Sequence, residues 1–102
     1  MTYRIHVNAA AIADMQAIHA YLDESSPKAA QRLLGLFEAS IEALADFPKR
    51  YPVAPESSRS STEIRHLPVG NYRILYIIIG ETVQVLRIRH SAQPPMDPKN
   101  LN

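Results

Sequence analysis

The tract from Tyr72 to Ile79, reading Tyr-Arg-Ile-Leu-Tyr-Ile-Ile-Ile, is apolar on both of its alternating faces. That pattern marks a strand placed centrally in a sheet. Gly80-Glu81 follows, with glycine first as a type II′ turn requires, and Thr82 to Arg89 returns as a second strand. The longest apolar run, Ile74 to Ile79, is far short of the ~20 residues a membrane helix needs. Counting back from a tight turn pairs Ile78 with Val83, Tyr76 with Val85, Ile74 with Arg87 and Tyr72 with Arg89, all on one face. The other face then carries Leu75, Ile77, Ile79, Leu86 and Ile88, with Arg73 and His90 at the end away from the turn.

Around this hairpin the remaining elements fall into place by period. Tyr3, Ile5 and Val7 alternate with Arg4 and His6, as in a half-buried strand. Asn8 stands at a helix N-cap position, and Ile12, Met15, Ile18 and Leu22 recur at helical spacing, so a first helix is expected to about Glu24. Ser26 caps a second helix with Pro27 at its first position. Ala30, Leu33, Leu34, Phe37, Ile41, Leu44 and Phe47 form its apolar stripe, and Pro48 stops it. A break this short sets the two helices antiparallel. Residues 48–61, rich in proline and serine, read as a loop, mobile at its Ser57–Ser61 end. A short strand from Glu63 to Leu67 is turned by Pro68-Val69-Gly70-Asn71. The tail, with Pro94, Pro95 and Pro98, cannot continue a sheet and lies over the surface or frays.

The expected fold is therefore α+β in the order β-α-α-β-β-β: an N-terminal strand and a helical hairpin packed on a small antiparallel sheet. It forms one domain over residues 1–102, with the strand in 1–7, the helical hairpin in 8–47, the loop in 48–61, the antiparallel strands in 62–90 and the tail in 91–102. At 102 residues and 46% hydrophobic content the chain can bury one core. It has no cysteine, which excludes disulfides and cysteine–zinc sites. His6, His19, His66 and His90 have no metal-type spacing, so neither a metal nor a cofactor is expected. With no signal-type apolar segment at its start, the chain reads as cytoplasmic and not associated with a membrane.

Charge is unevenly placed. Residues 1–48 hold three Lys/Arg against six Asp/Glu, and residues 49–102 hold eight against four. A basic second half suits a polyanionic or acidic partner. Arg65, His66, Tyr72, Arg73, Arg87, Arg89 and His90 crowd the sheet end away from Gly80. Arginines there can hold phosphate or carboxylate in a bidentate manner, and tyrosine can stack on a base. The plainer alternative has Arg73 and Arg87 paired with acids of the first helix, and Tyr72 and Tyr76 as packing residues. The helix acids Asp14, Asp23, Glu24, Glu38, Glu42 and Asp46 read as a solvated face. No Ser/His/Asp arrangement or glycine-rich phosphate loop is present.

The stretch Ile64-Arg65-His66-Leu67-Pro68-Val69-Gly70-Asn71-Tyr72-Arg73-Ile74-Leu75-Tyr76 resembles the "R-x-L-x-V-G-x-Y-R-I-x-Y" strand-turn-strand of RelE/ParE-type toxins. Val83 to His90 resembles the family's closing strand, "V-x-V-L-R-V-x-H". Tyr3-Arg4-Ile5, Ala13 to Ile18 with Tyr21, and Pro27-Lys28-Ala29-Ala30 are similar to its opening. The resemblance covers about residues 3–90. It implies the toxin of a type II toxin–antitoxin module (a plasmid stabilisation protein), neutralised by a cognate antitoxin and meeting operator DNA only through that antitoxin. RelE-like members cleave mRNA in the ribosomal A site, whereas ParE-like members poison DNA gyrase. For cleavage the resemblance offers Arg65, Arg73 and His90 as catalytic residues, since 2′-OH attack on phosphate needs charge stabilisation and acid–base help. Many relatives carry "H-x-x-R" where this chain has His90-Ser91-Ala92-Gln93, and the tail lacks a tyrosine, which weighs against cleavage. The helical hairpin is closer to the ParE branch. Gyrase is thus the favoured target, with no catalytic step, and ribosome-dependent mRNA cleavage the alternative. A non-toxic antitoxin-binding relic is the third reading. Tyr72, Tyr76, Arg87 and Arg89 are the residues expected to bind target or antitoxin. The apolar sheet surface around Ile74, Tyr76 and Val85, or the opposite face, is expected to receive an amphipathic antitoxin segment, in a groove or by strand addition.

Overall fold

In a computed structural model of the chain, which describes residues 2–101, strand β1 (Arg4–Val7) leads into helices α1 (Ala9–Asp23) and α2 (Pro27–Ala43). Strands β2 (Arg65–Val69), β3 (Tyr72–Ile79) and β4 (Thr82–His90) follow. The order β-α-α-β-β-β and the α+β class are those expected. The sheet is not purely antiparallel, because β1 pairs with β4 in parallel and the strand order is β1-β4-β3-β2. This leaves β3 and β4 central and places Pro68 on β2, an edge strand, where its missing N–H costs no ladder bond.

The helices begin in different ways. Ser26 caps α2 as expected, its hydroxyl accepting the Ala29 N–H at 3.2 Å, with Pro27 in the first turn. Asn8 sits at the N-cap of α1 but makes no capping bond. Its side-chain oxygen instead accepts from Gln84 Nε2 at 2.8 Å, fastening the helix start to β4. At its other end α2 stops at Ala43, short of the expected Phe47. The Ala45 carbonyl accepts the Tyr3 N–H at 2.9 Å, so the chain leaves the helix to meet β1. Phe47 takes a left-handed conformation, φ 53°, and is 74% exposed rather than part of the core stripe.

Both faces of the sheet are covered. Phe37, Ile41 and Leu44 of the helical side pack with Ala11 on Ile74, Tyr76, Val83, Val85 and Ile88. On the opposite face Ala54, Ile64 and Leu101 pack on Leu75 and Leu86. The expected open surface at Ile74, Tyr76 and Val85 is absent, since all three are fully buried. Residues 48–61 are more ordered than a plain loop: 3-10 turns span Pro48–Arg50 and Pro55–Arg59, and Ser57 Oγ accepts the Ile64 N–H at 2.9 Å. The tail crosses the same face and buries Leu101 there. No helix among the described residues is long and apolar enough to cross a membrane.

Two glycines set the hairpins. Gly70 and Gly80 have φ of 58° and 59° and each is the first residue of a two-residue turn. The Gly70-Asn71 turn is tighter than the four-residue one expected, and β2 runs on to Val69. From Gly80 the register starts as counted, Ile78 with Val83 and Tyr76 with Val85, but then shifts. Leu75 pairs with Arg87, which leaves Leu86 as an extra residue in a β-bulge. Beyond it Ile74 meets Ile88 and Tyr72 meets His90, so the expected partners Arg87 and Arg89 are displaced. Without the bulge both arginines would face the helices, Arg87 beside the fully buried Ile74, with no partner to offset desolvation. The bulge puts Ile88 there instead.

Candidate functional site

Three of the residues singled out in the sequence turn out to hold the structure together. Arg73, on β3, is buried and donates from Nη1 and Nη2 to the two carboxylate oxygens of Glu56, at 2.8 and 2.5 Å. Its acid thus comes from the 48–61 segment, not from α1. Glu56 Oε2 also accepts the Met96 N–H at 3.0 Å, tying the tail to the same centre. Burial pushes the Glu56 carboxyl up, but the hydrogen bonds from Arg73 and the backbone outweigh it and bring the pKa down to about 2. His66 Nδ1 lies 3.3 Å from Arg73 Nη1. Burial and then the Arg73 charge hold this imidazole below its ordinary pKa, against a smaller pull from Glu56.

Arg65 lies opposite Tyr76, well inside the sheet rather than at its far end. Its Nη1 donates to the carbonyls of Lys49 at 2.9 Å and Tyr51 at 2.5 Å, and its Nη2 pairs with Glu63 at 2.8 Å. Tyr76 is buried, and its hydroxyl donates to the Pro48 carbonyl at 2.5 Å. Burial pushes its phenol up to about 12. Arg65, Arg73 and His90 are therefore not assembled into one catalytic group, and Tyr76 has no surface with which to meet a partner.

The other four residues, Tyr72, Arg87, Arg89 and His90, do come together. They line an open cleft of about 460 Å³ between the far end of the sheet and α1, with Asp14 and Gln93 at its edges. Pairing with β1 ends at Val85, so β4 runs on with a free edge. Asp14 caps that edge. Its Oδ2 accepts the Ile88 N–H at 2.9 Å, and its two oxygens take Arg87 Nε at 2.7 Å and Nη2 at 3.0 Å. The expectation that an α1 acid pairs with Arg87 is met, while the reading of Asp14 as a solvated residue is corrected. The Asp14 hydrogen bond raises the Arg87 pKa further.

Arg89 bonds the Pro94 carbonyl through Nε and Nη2, at 3.1 and 2.8 Å, leaving Nη1 uncommitted among the described residues. His90 Nδ1 accepts the Ala92 N–H at 3.0 Å, so a neutral ring carries its proton on Nε2. The ring lies edge-on to Tyr72 at 5.1 Å, and Tyr72 lies edge-on to Phe37 at 5.6 Å. Gln93, noted as a departure from the family pattern, accepts the His90 N–H at 3.3 Å. One guanidinium arm, one imidazole and one phenol at a cleft mouth can bind an anionic or aromatic group. Among the described residues no three His, Cys, Asp or Glu side chains are placed to hold a metal ion.

Sequence reasoning missed Glu56. The signal was available: an arginine on a central strand must be neutralised if buried, and Glu56 is the one acid in residues 48–61.

A helical hairpin on a four-stranded mixed sheet is the architecture of RelE/ParE-type domains. The family model for the ParE toxin of the type II toxin–antitoxin system parDE matches residues 5–95, and the chain belongs to that family. Among curated relatives, toxin RelE2 of Caulobacter vibrioides is 34% identical over 83 residues, covering 81% of this chain and 89% of the relative. Toxin RelE1 of the same organism is 32% identical over 95 residues, covering 91% and 98%. The fold is also that of a chromosomal ParDE toxin–antitoxin system from P. aeruginosa, with a TM-score of 0.73 at 18% identity over 87% of this chain and 96% of the other. The protein is thus a type II toxin of the RelE/ParE superfamily.

Proposed function

We propose that this toxin arrests bacterial growth by binding DNA gyrase, with no catalytic step of its own, and that a cognate antitoxin neutralises it. The observation that carries the first part is the burial of Arg73 against Glu56. The arginine that RNA cleavage would call on is locked in an ion pair beneath the sheet, away from His90, and Arg65 is spent on backbone carbonyls. The ParE family match favours the same target. On inducing the chain alone in a bacterial host, thymidine incorporation falls within minutes while methionine incorporation is spared. An early fall in translation with DNA synthesis intact overturns the gyrase reading, and no fall in either leaves a non-toxic relic.

Ribosome-dependent mRNA cleavage stands as the second reading because Tyr72, Arg89 and His90 do share a cleft. Under it, Arg89→Ala and His90→Ala abolish mRNA cleavage in a translating extract while leaving the antitoxin complex intact. Cleavage unchanged in both removes it.

The antitoxin reading draws on the ParDE system of similar fold and on a shallow apolar patch. Ile5, Val7, Ile12, Met15 and Ile41 line it beside the outer edge of β1, with Glu38 and Glu42 at the rim. An amphipathic segment with basic flanks fits there, in place of the buried sheet face first expected. Ile12→Asp then weakens the complex with the neighbouring gene product at least about tenfold, the size of one lost apolar contact plus a desolvated charge. An unchanged affinity moves the antitoxin elsewhere. Operator DNA is met only through the antitoxin.

A further inference from the structure

Residues 47–51, at the opposite end of the molecule from the Tyr72–His90 cleft, form a protruding loop that none of the roles above uses. Phe47 presents its ring to solvent, 74% exposed, from a backbone at φ 53° that a bulky L-residue rarely adopts. Lys49 and Arg50 are exposed beside it, and the Arg50 guanidinium lies 5.0 Å from the centre of the Tyr51 ring while donating to the Tyr51 hydroxyl at 2.8 Å. The loop is held from beneath at three carbonyls. Tyr76 takes that of Pro48, and Arg65 takes those of Lys49 and Tyr51. On the near side the Arg50 N–H closes a turn on the Phe47 carbonyl at 3.2 Å. Two buried or half-buried polar side chains thus serve to fix a strained aromatic in the open, where it contributes nothing to the core. Strain held in place by its surroundings clusters at functional sites.

We infer that this loop is the toxin's anchor on its target protein, with Phe47 entering an apolar pocket and Lys49 and Arg50 meeting carboxylates at the pocket's rim. This rests on the reading that gyrase is the target. A protein is favoured over a nucleic acid by the loop's own surroundings. Single-stranded nucleic acid is held by successive rings along a basic track, whereas here Arg50 already lies over the Tyr51 ring and the exposed acid Asp46 directly precedes Phe47. A single rigid aromatic with flanking cations matches the anchors that dominate protein–protein affinity.

The test uses the full chain, purified gyrase and supercoiling of a relaxed plasmid. Phe47→Gly removes the ring and relieves the left-handed strain, so its Tm is equal to or above that of the wild type. It nevertheless inhibits supercoiling at least about tenfold less well. The double variant Lys49→Glu, Arg50→Glu loses a similar factor, and that loss shrinks as salt rises. Both variants keep wild-type affinity for the antitoxin. Wild-type potency in both variants overturns the anchor and leaves the gyrase reading standing. A wild-type protein with no effect on gyrase removes the target reading, and the anchor with it. A parallel loss of antitoxin affinity assigns the loop to the antitoxin instead.

Discussion

Arg73 and Glu56 are buried together beneath the sheet, and Glu56 also accepts the Met96 N–H of the tail. Glu56→Ala leaves a desolvated guanidinium unpaired and lowers stability by about 3–5 kcal/mol in urea unfolding, whereas replacing both partners by apolar residues costs less. The pair also makes stability depend on acid. Glu56 is held down at about 2 against an ordinary 4.5, so its contribution is present above pH 4.5 and is lost as pH falls towards 2. His66 is likewise held below its ordinary 6.5, so the folded state favours the neutral ring. Its contribution is complete above pH 6.5 and declines as pH drops below that value. Thermal melts between pH 8 and 3 therefore show two declines, and His66→Gln flattens the first. An unchanged slope in that variant would place the first decline in another group. The chain itself shows only the need, that an arginine buried on a central strand must be neutralised; the titration it sets up depends on which groups folding brings to it. By sequence Arg73 is assigned to an anionic partner or to acids of the first helix, because its actual partner lies 17 residues upstream in a stretch whose composition suggests loop.

At the scale of elements, local signals worked where the interaction is local. Ser26 and Pro27 start α2 through a bond three residues long, and Ser26→Ala costs about 1 kcal/mol. Asn8 has the same credentials by residue type, yet its side chain is engaged by Gln84 from β4. Double-mutant analysis of Asn8→Ala and Gln84→Ala gives a coupling of about 0.5–1.5 kcal/mol, the net worth of one hydrogen bond. Strictly additive losses would show that the two do not act together. The β4 bulge follows the same logic. The turn at Gly80 is legible from two residues, and so is the pairing next to it. The slip at Leu86 is not, because what drives it is the layer of helices facing that strand, which accepts Ile88 and rejects Arg87.

Across the whole molecule the tail completes the second core. Leu101 is 2% exposed against Leu75 and Leu86, and Met96 supplies an N–H to Glu56. Removing residues 96–102 therefore lowers stability by about 3 kcal/mol, from one buried leucine and one charged hydrogen bond. The shortened chain also binds a hydrophobic dye that the intact chain does not. An unchanged urea midpoint would mean the tail is not seated. The element order, the Gly80-led hairpin, the capped second helix and the resemblance to RelE/ParE toxins were all determined by the sequence alone. Each depends on periodicity or on residues a few positions apart. Tertiary structure decided which cations are free. It buried Arg73, engaged Arg65 and Arg87, left Tyr72, Arg89 and His90 around a cleft, and turned Phe47 outward. Whether a charged side chain reaches solvent or a counter-ion depends on groups brought near by folding, and on a desolvation cost that exists only once the layers have closed.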